Sequence, residues 1–275
     1  MKEMTLKEIQ DISLDILRDV HEFCIANNIK YTLQGGTLLG AIRHKGFIPW
    51  DNDIDIAMPR PDYEKFIHSY SSQKGFYLFS REKNDGNDVY IAFSRICDME
   101  RTFTDCQKRP WVNVQTGVWI DLFPLDGAEE SVRRCKRRIR KMRFYWSQGG
   151  ILRMANHYSL SEMQGLKNKI YLLIKKMFRP FCSYSVVDKH IKECKRCNYD
   201  SMSYYCNFSF LHYGIHERHN KKVLNNLVLM PFENEHFLCM EGYDEALKEK
   251  YGDYMQLPPK EKQVVVHGYN KYYWK

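Results

Sequence analysis

No stretch of this sequence approaches the roughly 18 consecutive apolar residues of a membrane span. Met1-Lys2-Glu3-Met4 opens onto no apolar core of the kind a signal peptide needs, so a cytoplasmic protein is expected. The nine cysteines are odd in number and scattered, which argues against a disulfide scaffold and for reduced thiols. Cys194-x-x-Cys197, with Cys206, His190 and His212 nearby, raises the question of zinc. A second Cys-x-x-Cys or His-x-His pair is missing, so reduced cysteines explain the pattern more simply. No recognition module and no aromatic-basic interleaving is evident, which argues against a nucleic-acid partner. Disorder is excluded as well, because 44% of residues are hydrophobic and 275 residues can bury a core as one large domain or two smaller ones.

What is present is positive charge and one stretch built for chemistry. The formal charge of +8 favours contact with phosphates, whether of a nucleotide, a lipid surface or a nucleic acid. Between Gln34 and Met58 lie two devices. Gly35-Gly36-Thr37 allows a tight turn, exposed N–H groups and close approach to an anion. Asp53-Ile-Asp55, in a strand, puts both carboxylates on one face and Ile54 and Ile56 on the other. Two such carboxylates repel unless a cation or proton lies between them, and Mg²⁺ suits a site with few carboxylates completed by water and phosphate oxygens.

The order of elements supports a mixed sheet flanked by helices, an α/β (α+β) fold. Thr5 to Glu8 reads as a capping box opening an amphipathic helix to about Ala26. Ile29 to Leu33 reads as a strand, Thr37 to Arg43 as a helix, Ile54 to Met58 as a strand, and Pro61 to Tyr70 as a helix. The glycine pair thus sits between a strand and a helix N-terminus, where N–H groups lack partners and the dipole favours an anion. Gly75 to Ser80, Val89 to Asp98 and Val118 to Leu122 read as further strands, and Asn226 to Met230 and Tyr243 to Tyr251 as a strand and a short helix. His216, Arg218 and His219 lie in a polar stretch and read as surface residues.

Asp121 interrupts the apolar run Gly117-Val-Trp-Ile-Asp-Leu-Phe-Pro-Leu-Asp126 and needs a partner. Beside the strand of Asp53 and Asp55 it would complete a three-carboxylate site, binding metal or taking a proton from an acceptor hydroxyl. The alternative is an acid at a strand end bonded to backbone. From Glu129 the composition turns basic, with Arg133, Arg134, Lys136, Arg137, Arg138, Arg140, Lys141 and Arg143 on one helix whose Ile139 and Met142 form a narrow apolar stripe. A solvated face and electrostatic docking of residues 133–143 onto an anionic leaflet or a phosphate-bearing acceptor both remain open. A second helix from about Glu162 to Phe178 and a third from Ser185 to Cys197 are expected to cover or extend the sheet.

The blocks Gly-Gly-Thr-Leu-Leu-Gly-Ala-Ile-Arg-His-Lys-Gly-Phe-Ile-Pro-Trp-Asp-Asn-Asp-Ile-Asp-Ile, Trp-Ile-Asp-Leu-Phe-Pro-Leu-Asp and Tyr-Gly-Asp-Tyr-Met-Gln-Leu-Pro-Pro closely resemble the LicD family of phosphotransferases. The resemblance implies a nucleotidyltransferase-type fold. Residues 1–128 would form the catalytic core, 129–200 a basic helical region, and 201–275 a part completing the same domain. It also implies transfer of a phospho-alcohol such as phosphocholine from a CDP-linked donor to a hydroxyl of a glycan or glycolipid, with Mg²⁺ or Mn²⁺. The more distant fukutin-like enzymes transfer ribitol phosphate similarly. Carried over, Gly35, Gly36 and Thr37 would hold donor phosphate, Asp53 and Asp55 the metal, and Asp121 would be the third acid, with Asp51 a further candidate for water or metal. Arg43, His44, Lys45 and His267 are candidates for contact with phosphate. Two departures stand out: Asn52 where the family commonly has aspartate, and a Gln263 to His267 tail that is less basic and histidine-rich. Two other classes remain, a nucleotidyltransferase that activates an alcohol phosphate and a non-catalytic glycan- or membrane-binding relative.

Overall fold

The computed structural model describes residues 1–83, 89–105, 114–157, 159–161, 165–183, 185–265 and 271–275, with side chains of 152–157 left aside. The chain begins with α1 (Leu6–Ala26), whose capping box forms as expected: Thr5 Oγ1 accepts from the Glu8 amide and Glu8 Oε2 accepts from the Thr5 amide. Its buried row, including Ile9, Ile12, Ile16, Leu17 and Val20, faces the sheet. There follow β1 (Thr32–Leu33), α2 (Gly35–Arg43), β2 (Asp55–Pro59), α3 (Arg60–Ser69), β3 (Tyr77–Phe79), β4 (Ser94–Asp98) and β5 (Thr102–Asp105). The central strand β6 (Val118–Ala128) is twice the length that its hydrophobic pattern suggests, and the strand expected from Val89 begins only at Ser94.

Helices α4 (Val132–His157), α5 (Leu166–Phe178) and α6 (Ser185–Cys194) come next. Strands β7 (Tyr204–Cys206), β8 (Arg218–Asn220), β9 (Leu227–Phe232) and β10 (Glu235–Met240) precede α7 (Tyr243–Tyr251), which ends at Gly252 with φ of 70°, and β11 (Lys271–Trp274) closes the chain. The result is a mixed α+β fold. The main sheet runs β1-β2-β6-β4-β3, and β7 extends it by pairing with the far end of β6, with β8 beyond. β2 and β6 are parallel while β4 and β6 are antiparallel. The hairpin β9–β10 packs on β1 and α2, where the Met240 amide donates to Thr32 Oγ1 at 2.9 Å. β11 pairs with β5, bringing the end of the chain back beside its start.

α4 covers β6's C-terminal end through Cys135, Ile139 and Met142, which are buried with Ala128, Cys194, Cys206 and Phe208. Arg138 lies in this buried row. Its guanidinium donates to the carbonyls of Gly127, Glu193 and Cys194 and stacks on the Phe208 ring at 3.9 Å. The basic helix therefore faces the protein with one of its arginines. Arg133, Arg134, Lys136, Arg137, Arg140 and Arg143 are exposed, and Lys141 pairs with Glu193. A second correction concerns His219, which is buried in β8 with Nδ1 3.2 Å from Glu249, whereas His216 is exposed. No described helix is long and apolar enough to cross a membrane.

Candidate active site

Strand register assembles the site. Asp55 is opposite Asp121 across the parallel β2–β6 pair, and Asp121 is opposite Arg95 across the antiparallel β6–β4 pair. Directly paired residues share a face, so Arg95, Asp121 and Asp55 form one row across three strands. The Arg95 fork grips Asp121, Nε to Oδ1 at 2.5 Å and Nη2 to Oδ2 at 3.1 Å, and stacks on Trp119 at 4.5 Å. Burial disfavours the Arg95 charge, but the adjacent Asp121 carboxylate outweighs it and the guanidinium pKa is raised. Arg95 is thus a side-chain partner for the acid that interrupts the apolar run.

The approach to β2 alternates as the sequence suggests: Asp51, Asp53 and Asp55 keep partial access to solvent while Asn52, Ile54 and Ile56 are buried. The side-chain amide of Gln10, on α1, fixes the backbone here by donating to the Asp51 carbonyl at 2.8 Å. Burial raises the Asp55 pKa well above the usual carboxylate range, and repulsion from Asp53, Asp121 and Asp51 adds to it, with Lys250 opposing. Asp51 is pushed up to about 9 by burial, by the charge of Asp53 and by a hydrogen bond with it.

The glycine pair lies directly beneath these acids. Gly35 has φ of +59°, a conformation that glycine adopts at little cost. A Cβ at Gly35 would stand 3.0 Å from Asp55 Oδ2, and one at Gly36 only 2.6 Å from Asp51 Oδ2. The anions nearest the glycines are therefore the protein's own carboxylates. Thr37 is buried, and its hydroxyl accepts from the Asp55 amide at 2.8 Å, locking α2 to β2. The first-turn amides of α2 have no acceptors within the helix and present a positive end to the acid cluster. Gly36→Ala is expected to push Asp51 aside and lower turnover on the order of 10- to 100-fold. Steady-state kinetics beside an unchanged circular dichroism spectrum checks this.

Arg43, His44 and Lys45 lie at the other end of α2. Arg43 Nη1 donates to the Tyr254 carbonyl at 2.8 Å, tying α2 to the C-terminal tail, and burial lowers its pKa. His44, its pKa lowered by burial and by Arg43, packs edge-on to Trp50. Lys45 is exposed with φ of 60°. His267 lies outside the described residues.

Four further groups at the site or its border, Glu217, Lys250, Tyr213 and Arg95, were not among the candidates drawn from the sequence. Glu217 is buried between Gln34 Nε2 at 3.1 Å and Lys250 Nζ at 2.6 Å, so the residue before α2 is braced to α7. Lys250 also lies over the Tyr213 ring at 4.3 Å. Tyr213 also lines a cleft of about 700 Å³ with Arg133, Lys136, Arg140, Arg143 and His216. Arg95 alone had a local signal, an arginine inside a strand, but only register says which acid it meets.

A divalent cation fits this arrangement. The donors are hard carboxylate oxygens crowded over a glycine cradle and in conflict with one another when ionised. Among the described residues no three His, Cys, Asp or Glu side chains are preassembled around a common point. The three-carboxylate arrangement expected of Asp53, Asp55 and Asp121 is therefore not preassembled among the described residues. Cys194 is buried, and His190 meets the Phe208 carbonyl at 2.8 Å.

Residues 28–134, which carry all four acids and Arg95, match the family model for the LicD/FKTN/FKRP nucleotidyltransferase domain. Over an alignment of 287 residues spanning 97% of each chain, the sequence is 31% identical to lipopolysaccharide cholinephosphotransferase LicD of Haemophilus influenzae. The chain belongs to the LicD family. A Rickettsia typhi protein of uncharacterised function shares 44% identity over 100 residues, 35% of this chain and 30% of that one. Human ribitol 5-phosphate transferase FKRP shares 52% over 33 residues, 12% of this chain and 7% of that one. In this LicD-family chain the matched domain ends at the start of α4, so Lys250, whose charge acts on Asp55, and its partner Glu217 come from outside it.

Proposed function

We propose that this LicD-family protein is a phosphotransferase that moves a phospho-alcohol, phosphocholine foremost, from a CDP-linked donor to a hydroxyl of a lipopolysaccharide-type glycolipid. The observation that carries the reading is the acid row on β2 and β6 within a chain that aligns end to end with a lipopolysaccharide cholinephosphotransferase. Asp53 and Asp55, with Asp51 beside them, would hold Mg²⁺ or Mn²⁺. When bound, the ion supplies neutralising charge to the phosphoryl oxygens and the leaving phosphate.

The acceptor oxygen attacks the phosphorus nearest the alcohol, the bond from that phosphorus to the bridging oxygen breaks, and CMP departs. Asp121, fixed by Arg95, orients the acceptor hydroxyl and receives its proton. The amides of Gly36 and Thr37 direct donor phosphate oxygens. The cleft lined by Arg133, Lys136, Arg140 and Arg143 supplies cations for phosphates on the acceptor, and Tyr213 joins it to Lys250. Arg43, His44, Lys45 and His267 are further candidates for phosphate contact.

The test is incubation with a panel of CDP-alcohols, Mg²⁺ and candidate glycolipids, reading CMP release. Release with CDP-choline that rises on adding a glycolipid supports the reading. Pyrophosphate release from CTP and an alcohol phosphate would assign the site to nucleotidylation instead.

A further inference from the structure

The helix α5 presents its apolar residues to the outside. Leu166, Ile170, Leu173, Ile174 and Met177 recur at spacings of four, three, one and three residues, which places them in one row along a helix turning every 3.6 residues. All five are exposed, Met177 at 61%, and Phe181 in the 3₁₀ turn that follows is 82% exposed. Leu172, on the opposite side, is the residue of α5 that is buried, and α5 packs against α4. The helix therefore rests on the protein by its narrow back and turns its broad apolar row away. Such a row in water is unfavourable unless something covers it.

Charge identifies the cover. The segment Leu166–Phe181 contains Lys167, Lys169, Lys175, Lys176 and Arg179 and no acidic residue. Lys167 lies to one side of the apolar row, and Lys169 and Lys176 lie to the other. Tyr171 and Phe178, also exposed, border the row. A second copy of the chain does not suit this face, since a two-fold contact would set cationic flanks against themselves. Thirteen residues span only about 20 Å, too short to cross a bilayer.

We propose that the Leu166–Phe181 segment lies in the surface of an anionic phospholipid leaflet, its aliphatic row among the acyl chains and its lysines at the headgroup phosphates. This moves the membrane contact expected for residues 133–143 to the next helix, because the apolar stripe of α4 is already buried. The inference rests on surface chemistry alone and stands apart from the assignment of donor and acceptor.

Co-sedimentation of the full chain with phosphatidylcholine vesicles, with and without phosphatidylglycerol, tests it. The wild type is expected to sediment with the anionic vesicles and to be released by salt. Leu173→Ser with Met177→Ser, and separately Lys167→Glu with Lys176→Glu, should each weaken binding by about tenfold or more. The circular dichroism spectrum should stay unchanged because all four positions are exposed. A wild type that stays in the supernatant would overturn the proposal. So would equal binding to neutral vesicles, variants that bind like wild type, or light scattering that shows a dimer dissolved by the Leu173→Ser with Met177→Ser variant.

Discussion

Asp53→Ala is expected to lose on the order of 100-fold or more in CMP release from CDP-choline while remaining folded. Removing a group that stabilises developing charge in a dry, preorganised site typically costs several kcal/mol of transition-state free energy. Its stability should not fall. Burial and, after it, the charge of Asp53 raise the Asp55 and Asp51 pKa values, so deleting the Asp53 carboxylate removes repulsion from the ion-free protein. The variant should therefore be at least as stable as wild type without Mg²⁺ and gain less from added Mg²⁺. Thermal melts at several Mg²⁺ concentrations read this directly, because a ligand that binds only the native state stabilises it by mass action. Near wild-type turnover, or an undiminished Mg²⁺-dependent rise in the melting temperature, would remove Asp53 from the site.

How far such a site can be read from sequence depends on whether its geometry is local. The Asp53-x-Asp55 pair was legible because strand alternation is a local rule, and Asn52 falls on the buried side as that rule requires. Asp121 was legible only conditionally, as a charge within an apolar run whose partner depended on strand order. The β2–β6 register supplies that order. Glu217 and Lys250 carry no local mark, since their pairing with each other and with Gln34 depends on the packing of α7 against the turn before β8. The short strands β7, β8 and β11 were equally hidden, since three or four residues hold too little periodicity and their pairing is long-range. Gly35 and Gly36 were marked from the sequence as a place where an anionic ligand could come close, and the groups that the structure places there are the side chains of Asp55 and Asp51.

Arg138→Met is the second large effect, and it is one of stability. Inside a run of arginines the residue reads as part of a solvated face. It nevertheless falls in the row of Cys135, Ile139 and Met142, and the structure buries it with three backbone carbonyls as acceptors. Methionine would fill much of the space but take the guanidinium donor from the Gly127 and Cys194 carbonyls and leave the Glu193 carbonyl with the Arg196 amide alone, at 3.3 Å. Buried acceptors left unpaired cost about 1–3 kcal/mol each, partly relieved by relaxation, so a loss of about 3–5 kcal/mol is expected. Arg137→Met, one residue away and exposed, should change stability by no more than about 0.5 kcal/mol. Urea denaturation of the two variants makes the comparison. Equal midpoints would mean that Arg138 is not held as described.

Transfer of an intact phospho-alcohol at the acid row is tested by product stoichiometry. With CDP-choline, Mg²⁺ and a lipopolysaccharide acceptor, one CMP is expected for each phosphocholine that appears on the acceptor, and no pyrophosphate. CMP formed without modified acceptor, or CDP-choline and pyrophosphate formed from CTP and phosphocholine, would contradict it.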